Sequence, residues 1–101
     1  MKKIQPVSIN CTVMQSEGNI VSDMDGEKVM MSVGTGKYYN LGVMGGEIWG
    51  AIQSTTSVKD IVTHLMSVYE VEANVCESEV LSFLEVLYKE GLIQVQDEVH
   101  P

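Results

Sequence analysis

The spacing of apolar residues changes once along this chain, at Gly42, and that switch restricts what the chain can fold into. From Ile9 to Leu41, short apolar runs alternate with polar residues and are broken by turn signals, as in strands. From Val43 onward, apolar residues recur every three or four positions, as in helices. Strands in one half and helices in the other predict an α+β domain.

The strand half reads as a meander. Cys11-Thr12-Val13-Met14 is a short apolar piece closed by Glu17-Gly18-Asn19. Ile20–Asp23 is the first strand, and Asp25-Gly26 after it is the dipeptide that most strongly marks a tight hairpin. Lys28–Val33 is the second strand, with Val29, Met31 and Val33 on one face by two-residue alternation. Past Gly34-Thr35-Gly36, Lys37–Leu41 forms the third, its tyrosines suited to a half-buried pleated surface.

The helical half holds three helices. Met44, Ile48, Trp49 and Ile52 stripe the first, in which Gly45 and Gly46 allow close approach of another backbone. The loop Ser54–Ser57 supplies an N-cap for the second, with Asp60 completing a short-armed capping box. Val58, Ile61, Val62 and Leu65 are its buried face. The third starts after Glu72-Ala73-Asn74 and runs to Glu90, stopped by Gly91. Cys76, Val80, Phe83, Leu84 and Leu87 form its core stripe, flanked by Val75, Glu79 and Val86 on one side and Leu81 and Tyr88 on the other. Leu92–Val95 is a trailing extended piece, and the polar tail Asp97–Pro101 is expected to fray. The expectation is one domain over residues 1–101, ordered over about 9–95. Its class is α+β: a three-stranded antiparallel sheet followed by three helices, in a winged helix-turn-helix-like arrangement.

Charge and composition remove several functions. Fourteen acidic residues against six basic ones give a net charge of −8, the wrong sign for binding nucleic acid or an anionic membrane surface. No apolar run approaches the roughly 20 residues that span a bilayer, and Met1–Pro6 leads into no secretory signal, so the expected location is the cytoplasm. Cys11 and Cys76 are too few and too far apart for a metal knuckle or a disulfide framework, and read as ordinary reduced thiols, with one long-range bridge as the alternative. His64 has no His or Cys three or four positions away and reads as a surface histidine. Gly34-Thr35-Gly36-Lys37 lacks phosphate-loop spacing and leads into a strand. No catalytic constellation, metal site or cofactor is expected. What remains is a short aromatic third strand with little to protect its edge against another strand.

The ordered set Asp25-Gly26, Val29-Met30-Met31, Gly36-Lys37-Tyr38-Tyr39-Asn40-Leu41, Gly46-Glu47-Ile48-Trp49, Ser57–Val62, Phe83-Leu84 and Gly91-Leu92-Ile93 resembles the PqqD-like family. These are precursor-recognition elements of ribosomally made, modified peptides, and the chain looks most like the discrete recognition protein of lasso-peptide pathways. Gly42 stands where an Asn often follows the Leu, and Met30-Met31 replace the commoner Leu or Val. The resemblance implies that the leader segment of a precursor adds as a strand beside the third strand, in a groove walled by the third helix. It further implies two enzyme partners, a cysteine-protease leader peptidase and an ATP-dependent macrolactam synthetase. Carried over by position, the peptide-binding residues are Lys37, Tyr38, Tyr39, Asn40 and Leu41 on the edge strand, with Val29 and Met31 as groove floor. Val75, Glu79, Phe83 and Val86 are the favoured helix wall, and Leu81 with Tyr88 the other choice. The alternatives are a winged-helix regulator and a small cysteine enzyme. The regulator would need a basic recognition helix, whereas Asn74–Glu90 carries Lys89 against four Glu.

Overall fold

The computed structural model describes residues 7–97. In chain order the elements are β1 (Cys11–Gln15), β2 (Asn19–Met24), β3 (Glu27–Ser32), β4 (Tyr38–Leu41), α1 (Gly42–Ala51), β5 (Thr56–Ser57), α2 (Val58–Val68), α3 (Ala73–Lys89) and β6 (Ile93–Asp97).

The meander predicted from the turn signals is present: β2, β3 and β4 pair antiparallel in that order. Asp25 and Gly26 both take positive φ, 56° and 85°, the backbone that a two-residue type I′ hairpin requires. Within β3 the buried face is the one that carries Met30 and Ser32, not the one shared by Val29, Met31 and Val33. Met30 is fully buried and Ser32 nearly so, while Val29 and Met31 are half-buried and Val33 lies exposed past the strand end. Apolar residues at 29, 30 and 31 fill both parities, so alternation alone could not choose, and packing of α1 on the Met30 side decided.

A second sheet, ordered β5-β1-β6, adds to the expected architecture. The trailing piece β6 pairs antiparallel with β1, Cys11 opposite Asp97 and Gln15 opposite Ile93. The two-residue β5, within the segment read as a loop, pairs with the other edge of β1. This pairing joins opposite ends of the chain, and nothing local in the sequence announces it.

The helices follow the expected faces closely. Ile48 and Trp49 of α1, Val58, Ile61, Val62 and Leu65 of α2, and Cys76, Val80, Leu84 and Leu87 of α3 meet in one core with Cys11, Val13, Met30, Ile52 and Ile93. Ser57 caps α2, its Oγ accepting from the Asp60 N–H at 3.0 Å. Helix α3 ends in a Schellman reversal: Gly91 N–H donates to Tyr88 O (3.0 Å) and Leu92 N–H to Leu87 O (2.9 Å), with Gly91 at φ 77°. The expected polar tail lies outside the described residues from Glu98 on, and His100 with it. Among the described residues no helix is long and apolar enough to cross a membrane.

Gly45 and Gly46 of α1 are packed against side chains, not against a backbone. A Cβ at Gly45 would stand 2.9 Å from the Phe83 ring and 3.3 Å from the Leu41 Cβ, and one at Gly46 would strike the Cγ and Cβ of Lys28. Alanine is the better helix former by about 1 kcal/mol, yet Lys28 atoms this close to the backbone cannot swing away. Gly46→Ala is therefore expected to destabilise by a net ~1–2 kcal/mol, lowering the melting temperature by roughly 5–10 °C in a thermal melt. A raised melting temperature would mean that the gap tolerates a methyl group.

Candidate functional site

Strand β4 has β3 on one side and no strand on the other among the described residues. Ser32 N–H donates to Lys37 O at 2.9 Å, which sets the alternation along the pair. In an antiparallel ladder every second residue turns its N–H and C=O to the same neighbour. Tyr39, opposite Met30, thus bonds inward to β3, whereas Tyr38 and Asn40 direct their backbone groups to the open edge.

Helix α3 runs antiparallel to this edge. The Phe83 ring packs against Gly45 beside Leu41 at one end of β4. Seven residues on, Glu90 Oε1 accepts a hydrogen bond from Tyr39 Oη at 2.9 Å and lies 3.6 Å from Lys37 Nζ. Seven helical residues advance about 10 Å, close to the length of β4, so strand and helix flank one cleft. Val86 lies between Phe83 and Glu90 on the same helix flank and is 55 % exposed. The open edge, with Leu41, Phe83 and Val86 beneath it, offers main-chain donors and acceptors beside apolar surface. An extended peptide needs both.

The sequence-derived candidates divide by location. Lys37, Tyr39, Leu41, Phe83 and Val86 come together at the cleft. Tyr38 and Asn40 line its edge through their backbones, while their side chains share the outer sheet face with Val29 and Met31. Val29 and Met31 therefore turn away from α3 and do not floor the cleft, and the side chain beneath β3 on the helix side is Met30. Val75 and Glu79 share the flank of Phe83 and Val86 but lie one to two turns beyond, past the Leu41 end. Leu81 and Tyr88 occupy the other side of α3. Asn40 holds the strand's end locally, its Oδ1 accepting from Gly42 N–H (3.0 Å) and its Nδ2 donating to Glu27 (3.1 Å).

Glu90 was not among the candidates, although its position carried a signal. A carboxylate at a helix C-terminus opposes the macrodipole and calls for a compensating contact. Partial burial, then the Glu90 hydrogen bond and charge, push the Tyr39 phenol above its ordinary pKa, against a smaller opposing contact with Thr35. Tyr39 thus remains a protonated donor at neutral pH.

Other polar groups are engaged elsewhere. An open cavity of about 560 Å³ lies across α1 from Phe83, walled by Asp23, Lys28, Glu47 and His64. Lys28 pairs with Asp23 (3.2 Å), and His64 Nε2 meets Glu47 Oε1 at 3.1 Å, so the polar groups of this hollow are already engaged with one another. Both thiols are buried. Cys11 Sγ accepts from Ser8 N–H at 3.3 Å, and burial, then Glu79, push the Cys76 thiol up. Neither sits at the cleft edge as a nucleophile would.

Comparison with known proteins places this arrangement. Residues 27–93 match the family model described as Coenzyme PQQ synthesis protein D (PqqD). No curated protein matches the chain. Among solved structures, TbiB1 in complex with the TbiA(beta) leader peptide is similar with a TM-score of 0.72 and 25% identity, over 80% of this chain and 94% of that one. A lasso peptide synthetase B1 complexed with the leader peptide shares the fold with a TM-score of 0.71 and 22% identity, over 81% of this chain and 96% of that one.

Proposed function

We propose, from the premise that this chain belongs to the PqqD family, that it binds the leader segment of a ribosomally made precursor peptide by strand addition at β4. The open β4 edge facing Phe83 and Val86 across a cleft carries this reading. Two similar folds that were solved with leader peptides support it. In this reading Tyr38 and Asn40 supply main-chain hydrogen bonds, and alternate leader side chains drop towards Leu41, Phe83 and Val86. The function is non-catalytic and cytoplasmic: the chain presents the leader to a cysteine-protease leader peptidase and an ATP-dependent macrolactam synthetase of a lasso-peptide pathway.

A flexible leader loses conformational entropy when it docks, so the expected affinity is micromolar to nanomolar, about −8 to −12 kcal/mol. Backbone amide resonances followed during titration with the leader half of a lasso-type precursor peptide test the site. Shifts should be largest at Tyr38–Leu41 and along the Phe83–Glu90 flank. Shifts confined to α2 or to the β5-β1-β6 sheet would move the site elsewhere.

A further inference from the structure

We propose that Glu90 is a positioning residue for peptide docking: by holding Tyr39 and Lys37 on one carboxylate oxygen, it fixes the separation of β4 and α3 and so preforms the cleft. This rests on the reading of β4 as the docking edge, and it assigns a role to a residue that need not touch the peptide. Strand β4 has only four residues and one paired neighbour, with a glycine at φ 75° before it and another at φ 73° after it. Such an edge opens readily on its own. The contacts from Tyr39 Oη (2.9 Å) and Lys37 Nζ (3.6 Å) both converge on Glu90 Oε1 and tie the strand to the helix wall. The carboxylate sits at the C-cap of α3, where the helix dipole disfavours negative charge, so the helix alone gives no reason for an acid there. Immediately after it, the Gly91 reversal fixes the chain, so the anchoring end of the brace cannot drift. A preformed cleft spares an incoming strand the cost of ordering β4.

The experiment uses a probe selected for the edge itself. Twelve-residue random peptides are displayed against the wild-type chain, and a binder is kept only if Tyr38→Pro, which removes an outward N–H, abolishes its binding. Failure to obtain any such binder would overturn the docking reading itself. With a binder in hand, Glu90→Ala is expected to weaken affinity about tenfold, as lost preorganisation does. It should also speed amide exchange at Tyr38 and Asn40 while leaving exchange in the α2 core unchanged. Glu90→Gln keeps an oxygen acceptor for Tyr39 and loses only an exposed ion pair, so its affinity should fall no more than about twofold. Wild-type affinity in Glu90→Ala would overturn the inference and leave the docking edge standing. A Glu90→Gln variant as weak as Glu90→Ala would overturn it too, since the retained Tyr39 hydrogen bond would then hold nothing in place.

Discussion

Tyr38→Pro is expected to weaken leader binding about 10- to 100-fold with little change in helix content. Its N–H is directed to the open edge and the side chain is 72 % exposed, so the folded chain loses no internal hydrogen bond. Proline is tolerated in an edge strand when its missing N–H is on the solvent side. The docked strand, however, loses a main-chain hydrogen bond, a net ~1 kcal/mol, and meets the pyrrolidine ring where its own backbone must lie. The same substitution at Tyr39 removes a donor bonded to β3 and should unpair β4 before any peptide is added. Calorimetric titration with circular dichroism on both variants separates the cases. Unchanged affinity in a folded Tyr38→Pro protein would rule out strand addition at β4.

Leu84→Ala should produce a large loss of stability. Leu84 is fully buried in the core shared with α2 and the second sheet. Truncation there costs about 3 kcal/mol, roughly 15 °C in melting temperature for a chain this size. Two residues along, Val86→Asp changes an exposed position on the cleft flank and should cost about 1 kcal/mol, from the helix dipole and the nearby Glu90. Its main effect is on binding, because a carboxylate would enter the surface on which apolar leader side chains settle. Thermal melts and peptide titrations on the pair should give opposite patterns. If Leu84→Ala weakens binding more than Val86→Asp under conditions where both are folded, the flank has been misassigned.

The sequence made the meander and the helices legible because their determinants are local. Asp25-Gly26 needs only two residues to specify its turn, and the three- and four-residue spacing of Val58, Ile61, Val62 and Leu65 marks a buried face without reference to any other element. The second sheet was not legible, since β1 and β6 pair across most of the chain and no local pattern marks them as partners. Which face of β3 is buried was not legible for a related reason: consecutive Val29, Met30 and Met31 satisfy either choice, and what covers the sheet decides it. At the site, the tyrosines of β4 were visible as an unprotected edge. Glu90 was hidden because its partners lie about 50 residues back along the chain.

The Schellman turn at the end of α3 has a mechanical side. Through Gly91 and Leu92 the helix is joined without slack to β6, and thereby to the far sheet, whereas its first residue follows a stretch without secondary structure after α2. At that other end Cys76 and Val80 are held in the core, so the helix is tied along its whole length and cannot swing like a jaw. Room for a bulky leader side chain should therefore come from the strand side of the cleft.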